Sequence, residues 1–329
     1  MTESKFHLDT PVLFIIFNRP DTTARVFEAI RAAKPRMLFI AADGPRPNIP
    51  GDVERCAATR AVVERIDWPC DVRRDYSEKN MNCRYRPQSA IRWAFSQAER
   101  VIILEDDCLP DPSFFHFCQD ILLRFANDER VMCIGGTNLL GTWKADIQSY
   151  HFSFMSSSSG WASWRRAWDL YDPDMEAWGN PEASATLDRD LFSLAPSKKR
   201  RKYYELTYQG EMDAWDYQWE MCRILQSGLT VTPSVNLVQN IGYHAEAMHT
   251  FDVNHPHAKL TARNLEWPLR PPFGIVRDIE FERKFLSVIE IRFNWRSLIP
   301  EPIRIFLRPL ADKLGMRGKK SLQKPPIQM

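Results

Sequence analysis

The chain has 329 residues, 44% of them hydrophobic and 26% charged, with a formal net charge of +2. That length suffices for one large domain or two modest ones with a sizeable core. The near-neutral charge argues against broad electrostatic binding of nucleic acid, and no nucleic-acid partner is expected.

Residues 12–17 form a short apolar run that stops at Asn18-Arg19-Pro20. Asp21 or a neighbouring threonine then caps a helix carrying Val26, Phe27 and Ile30 on one face. Residues 37–41 read as the next strand, ended by Asp43-Gly44-Pro45, and Asp52 opens a helix with apolar Val53, Ala57, Val62 and Val63. Residues 70–76 give a weaker third strand, and residues 87–98 a helix with Ile91, Ala94 and Phe95 on one face. Next come an apolar run at 101–104, a helix over about 112–125 and a strand at 131–134. Strands alternating with helices imply parallel pairing and right-handed crossovers, as in a nucleotide-binding α/β sheet.

After Gly141 the pattern changes. Residues 150–180 are rich in aromatics, serine and glycine without a clean period. Helices are expected over 198–208 and 214–226, and short strands, interrupted by Pro233, over 230–238. The division that follows is 1–140 as an α/β half, 141–270 as a second half of the same domain, and 271–329 as a helical extension with a basic tail. From Arg296 onward eight basic residues face only Glu301 and Asp312, and Ile303, Phe306, Leu307, Leu310 and Leu314 share one helical face. One reading is peripheral contact with a membrane surface; the other is a helix packed on the domain, followed by a disordered tail.

Eleven tryptophans and nineteen phenylalanines could stack on bases and sugars or simply fill the core. The seven cysteines are odd in number and contain no CxxC pair, which fits free thiols in a reducing compartment and no zinc site. The first ten residues lack the regions of a signal peptide, and no apolar run approaches a membrane span. The cytoplasm is the expected compartment, at the inner membrane face if the C-terminal segment binds lipid.

The densest chemistry lies at Val101-Ile102-Ile103-Leu104-Glu105-Asp106-Asp107-Cys108-Leu109-Pro110. Four apolar residues read as a strand buried on both faces. Three adjacent carboxylates at its end repel one another and sit where desolvation raises their pKa values. A hard divalent cation, Mg²⁺ or Mn²⁺, would neutralise them. The carboxyl end of a central strand is also where open α/β sheets bind ligands. The competing reading is a charged turn facing water.

Other candidates follow from the same geometry. Asn18 and Arg19 come directly after the first strand and face the same crevice, where Arg19 could meet phosphate or simply pair with a carboxylate. Asp43 could accept from a base or ribose, or serve as a turn residue. Asn80, Asn82 and Arg84 precede the third helix, where anions such as a diphosphate bind. Asp216, among aromatics in Trp215-Asp216-Tyr217-Gln218-Trp219, is a candidate general base, with Glu211 and Asp213 as rivals and helix capping as the alternative. His244, His249, His255 and His257 cluster downstream; one could complete a metal shell, although solvent-facing histidines are commoner.

In order along the chain, these pieces resemble a GT-A-type glycosyltransferase. More narrowly, the chain is similar to the bacterial glycosyltransferase-2-like, nucleotide-diphospho-sugar transferase family, often labelled hemolysin-like and distantly similar to N-acetylglucosaminyltransferase I. The carrying residues are Phe17-Asn18-Arg19-Pro20, Ala42-Asp43-Gly44, Asn80-Met81-Asn82-Cys83-Arg84, the 103–110 segment, Gly160-Trp161-Ala162-Ser163-Trp164-Arg165-Arg166-Ala167-Trp168, Trp215 to Trp219 and Asn240-Ile241-Gly242. The match spans roughly residues 11 to 252.

The resemblance implies a Rossmann-like, mostly parallel sheet flanked by helices, a mixed acceptor-side region and a C-terminal helical extension. It would make residues 1–140 the nucleotide-sugar-binding half and residues 141–270 the acceptor and catalytic half. It implies a nucleotide-diphosphate sugar donor, UDP by family habit, and a glycan or other hydroxyl acceptor. Glu105-Asp106-Asp107 would be the DxD-type motif, with Asp107 the direct ligand of Mn²⁺ or Mg²⁺ and Asp106 against the ribose or metal waters. Asn18, Arg19 and Asp43 would hold the nucleoside, and Arg84 would approach the diphosphate. Asp216 would be the general base, and His249 the metal-shell histidine. Two departures stand out: Asn82 replaces a usual glycine, and residues 154–159 are serine-rich. The competing functions are a sugar nucleotidyltransferase, which would normally carry a glycine-rich loop after the first strand, and a non-catalytic membrane-associated protein.

Overall fold

The computed structural model describes residues 6–189, 198–242 and 259–290; for residues 198, 199, 289 and 290 it describes the backbone alone. In chain order come β1 (Val12–Ile16), α1 (Pro20–Ala33), β2 (Met37–Ala42), α2 (Asp52–Val62), β3 (Asp71–Tyr76), α3 (Asn82–Phe95), β4 (Arg100–Glu105), β5 (Cys108–Pro110), α4 (Pro112–Arg124) and β6 (Val131–Gly135). The acceptor-side region adds β7 (Tyr150–Ser153), β8 (Trp161–Trp164), α5 (Arg165–Trp168), α6 (Pro181–Leu187), α7 (Lys198–Tyr208), α8 (Asp216–Leu225), β9 (Leu229–Pro233), β10 (Val238–Asn240) and α9 (Ile279–Glu290).

Eight strands form one sheet in the order β3-β2-β1-β4-β8-β6-β9-β7, and β5 pairs with β10 in a second. β3, β2, β1 and β4 run parallel, whereas β8 is antiparallel to both β4 and β6. This is the mostly parallel, mixed α/β sheet expected of a GT-A-type chain. Every residue of β1 is buried, so it has no polar face. Val12, Phe14 and Ile16 pack with Val26, Phe27 and Ile30 of α1, while Leu13 and Ile15 pack with Ala90, Ile91 and Ala94 of α3. Helices therefore cover both faces, the arrangement that parallel strands require.

Three local expectations are corrected. Asp21 and its neighbouring threonines do not cap α1; Arg19 holds the cap position without a side-chain bond, and Pro20 begins the helix. The fixed φ of proline and its missing N–H suit that position. Val53 is exposed; α2 instead buries Asp52, Cys56 and Thr59. α3 starts at Asn82 rather than Pro87, because the Asp213 carboxylate accepts from the backbone N–H of Cys83 (3.2 Å) and Arg84 (2.7 Å). Asn82 adds a local cap, its Oδ1 accepting from the Arg84 and Tyr85 N–H groups, whereas the Asp213 bonds, from about 130 residues away, leave no trace near α3. β7 and β8 fall in the stretch without a period because all their residues are buried, which removes the alternation.

The motif tryptophans form core beneath the sheet. Trp161 stacks on Trp215 with centroids 5.5 Å apart, and Trp168 stacks on Tyr171 at 4.3 Å. Residues 1–290 form one compact unit. The amphipathic segment 303–314 lies outside the described residues. Among the described residues no helix is long and apolar enough to cross a membrane.

α9 is fastened to the sheet by charge. The fully buried Glu282 carboxylate accepts from the Phe154 backbone N–H (2.6 Å) and from Arg277 Nη2 (2.7 Å), and the Arg277 guanidinium lies 3.7 Å from the Phe154 ring centroid. Glu282→Ala strips a buried donor of its acceptor and should cost at least about 1–3 kcal/mol. Glu282→Gln, which keeps an acceptor oxygen, should cost less; urea unfolding midpoints of the two variants measure the difference.

Candidate active site at the β1–β4 switch point

β1 leads to β2 on one side and pairs with β4 on the other, so the strand order reverses between β1 and β4. Ligands bind at such a point, beyond the carboxyl ends of the strands. Phe17-Asn18-Arg19 leaves β1 there, and Asp106-Asp107 leaves β4, with Ile15 and Glu105 opposite one another.

These two loops meet through Arg19. Its Nη2 pairs with Asp106 Oδ1, and its Nη1 lies 2.9 Å from Asp107 Oδ2. Burial alone would weaken the Arg19 charge, but Asp106 and Asp107 hold the guanidinium firmly protonated. Asp106 is only 2% exposed, and its Oδ2 accepts from the Phe17 backbone N–H at 3.0 Å. Asp107 is more open, with 15% of its side chain exposed. Burial pushes the Asp106 carboxyl up against the opposing effect of Arg19. Burial, with the charges of Asp107 and Asp106, pushes Glu105 up to about 8.

Asn240-Ile241-Gly242 closes this corner. β10 pairs antiparallel with β5, and the Ile241 N–H donates to the Asp107 carbonyl at 2.8 Å. A β-carbon on Gly242 would collide with Asp107 Oδ2 and come within 3.0 Å of Arg19 Nη1. Glycine at 242 thus makes room for the ion pair.

The other expected residues take different positions. Asn18 Nδ2 donates to Asp52 at 2.6 Å. Asp52, fully buried, also accepts from Arg46 and Arg55. Burial would raise the Asp52 pKa, but these bonds hold it well below the usual carboxylate range. Asp43 accepts from the N–H groups of Gly44 and Met81 (both 2.8 Å) and from Asn80 Nδ2 (2.9 Å), so both its oxygens are engaged within the chain. The Arg84 guanidinium donates to the carbonyls of Thr207 (3.2 Å) and Pro173 (3.1 Å), tying α3 to the acceptor-side region. Asn82 has φ 62°, a left-handed backbone that glycine favours and asparagine tolerates. Its Oδ1 accepts from the N–H groups of Arg84 and Tyr85, which accounts for asparagine at that position.

Asp216 is the first residue of α8, following Trp215 at the cap position. It lines a cavity of about 170 Å³ with Ser156, Ser157, Ser158, Trp161, Trp215, Tyr217 and Trp219, and Ser158 Oγ lies 3.4 Å from its Oδ2. Of its rivals, Asp213 caps α3 and Glu211 is exposed. The charge of Asp216 contributes to raising Glu105, so the cavity and the acidic cluster lie within electrostatic reach. His244, His249, His255 and His257 lie outside the described residues.

Three carboxylates face one guanidinium, so the fully ionised cluster stays net negative. Among the described residues no three His, Cys, Asp or Glu side chains converge as a ready-made metal cage. The donor set fits a hard cation that takes one or two carboxylates and shares the rest of its shell with water and phosphate oxygens. Asp107, the more open of the two aspartates, is the residue that would hold it.

No family model and no curated protein matches the chain. Among solved structures, it is similar to S. aureus TarS 1–349, with TM-score 0.38 and 10% identity over 70% of this chain and 59% of that one. It therefore spans under two thirds of the TarS chain. It is also similar to the galactosyltransferase LgtC, solved with donor and acceptor sugar analogs, with TM-score 0.36 and 12% identity over 88% and 100%. A third likeness is to 4-diphosphocytidyl-2C-methyl-D-erythritol synthase from Anaerococcus prevotii, with TM-score 0.31 and 10% identity over 49% and 75%. With TM-scores below 0.5 these are loose likenesses, and the chain's own residues carry the chemistry.

With its carboxyl raised, Glu105 keeps a proton in the folded state that an ordinary carboxylate in the unfolded chain has released. That stabilising contribution is complete below the ordinary carboxylate range and is lost as pH rises through about 8. Relative to wild type, Glu105→Gln should therefore gain a few degrees in Tm between about pH 5 and about pH 8.5. A constant Tm gap across thermal melts in that range overturns the assignment.

Proposed function

We propose that the chain is a metal-dependent glycosyltransferase, moving a sugar from a nucleoside-diphosphate donor, UDP-linked by family resemblance, to a hydroxyl acceptor with inversion. The observation that supports this most is the acidic cluster at the β1–β4 switch point, with the Asp216 cavity in electrostatic reach of it.

Breaking the sugar–phosphate bond leaves a diphosphate on which negative charge grows. A bound Mn²⁺ or Mg²⁺ would neutralise that charge, and Asp107 would hold the ion. Arg19, already at this corner, adds a fork of donors matched to phosphate oxygens. The sugar carbon becomes oxocarbenium-like, and the acceptor oxygen attacks it. Asp216 takes the proton from that oxygen; its carboxylate lines the cavity and is met by Ser158 Oγ. A base on the face opposite the leaving group gives inversion.

Asp216→Asn should keep donor affinity and lower kcat about 10²- to 10⁴-fold. Asp107→Ala should lose Mn²⁺-dependent donor binding along with turnover. Calorimetry with UDP and Mn²⁺, beside an assay of UDP release from UDP-sugars, reads both. Unchanged donor affinity in Asp107→Ala would contradict the metal assignment. Release of pyrophosphate from a nucleoside triphosphate and a sugar 1-phosphate would make the chain a nucleotidyltransferase instead.

A further inference from the structure

We propose that Arg19 is the resident counter-ion of the acidic cluster, holding Asp107 in the free protein and releasing it to a divalent cation when a nucleoside diphosphate gives the guanidinium a new partner. The inference rests on the metal-dependent reading above and adds an exchange of partners to it.

The two ends of the Arg19 fork are unequal. Asp106, at 2% exposure, is sealed and keeps a second bond from the Phe17 N–H whatever Arg19 does. Asp107 is 15% exposed, and among the described residues the other donor to its carboxylate is the Cys108 thiol at 3.4 Å, a weak one. Exchange therefore happens at Asp107. Its Oδ2 is confined between Arg19 Nη1 and Gly242. A cation arriving at that oxygen meets the guanidinium, and two positive charges at one carboxylate repel.

Arg19 can also move without losing its anchor. Its backbone is pinned by Pro20 and by the hydroxyls of Thr22 (3.3 Å) and Thr23 (2.7 Å), which donate to its carbonyl. Its side chain is 29% exposed, so the fork can turn from Asp107 to phosphate oxygens while α1 stays fixed. Cation and diphosphate then favour each other's binding, and the coupling is reciprocal.

The test is Mn²⁺ binding, read by the electron paramagnetic resonance signal of free Mn²⁺, with and without UDP. For wild type, UDP should tighten Mn²⁺ about 5- to 150-fold, the usual span of coupling between sites. Arg19→Gln should bind Mn²⁺ alone about tenfold more tightly than wild type, gain less from UDP, and bind UDP without metal more weakly. Arg19→Lys, which keeps the charge, should stay near wild type for Mn²⁺ alone; if the glutamine variant does not fold, Arg19→Met, which also removes the charge, is measured in its place. Equal Mn²⁺ affinity in wild type and Arg19→Gln overturns the inference alone, as does a lysine variant that matches a folded glutamine variant. Absence of Mn²⁺ binding by wild type, with and without UDP, overturns the metal-dependent reading and this inference with it.

Discussion

Parallel pairing of β1 with β4 is the constraint on which the candidate site depends. It sets Ile15 opposite Glu105, so the chain leaves both strands at the same height and on the same edge. The guanidinium after one strand then faces the carboxylates after the other, and the pair forms because the register leaves them no other place. Each strand is apolar because helices cover both faces, and a fully covered strand tolerates charge only where it ends. The hydrophobic run and the acidic cluster are one feature: the first fixes where the second must lie.

Much of this was legible in the sequence. The first four strands and the helices between them announce themselves by apolar runs and periodicity, and the chemistry-bearing loops follow from the rule that such sheets bind ligands past their strand ends. What was not legible came from contacts across long separations. Asp213 caps α3 from far along the chain, moving the helix start to Asn82. Asn18, next to Arg19, turns instead to Asp52, 34 residues along the chain. Asp52 is a different case: its partners Arg46 and Arg55 lie only six and three residues away, but its local reading as a helix-opening residue does not show that its carboxylate is fully buried. β7 and β8 have no outward face to imprint a period on. The Arg19–Asp107 pair was within reach, since one loop carries an arginine and the facing loop an unneutralised acidic run.

The ordered motifs divide by physical role. Gly160-Trp161 through Trp168 and Trp215 through Trp219 are mostly ring-on-ring packing beneath the sheet. Asn240-Ile241-Gly242 is steric, a bare backbone laid against Asp107. Ala42-Asp43-Gly44 is a hydrogen-bonded corner in which Gly44 leaves room for the backbone of Lys79, while Asp43 gathers the Asn80–Met81 turn. Few residues in these motifs are placed to touch a substrate; most hold those few in register.

The acidic residues of the 211–216 stretch show how hydrogen-bond accounting separates roles that composition leaves equal. Glu211, Asp213 and Asp216 are all carboxylates near aromatics, and any of them satisfies a sequence-level description of a base. Glu211 lies exposed, outside the cavity that Asp216 lines. Asp213 is committed to two backbone N–H groups at the start of α3. Asp216 begins α8, lines a cavity walled by Trp161, Trp215 and Trp219, and adds its charge to that felt by Glu105. Carboxylates that composition leaves equal are thus separated by what each one touches, and of the three it is Asp216 that lines the cavity.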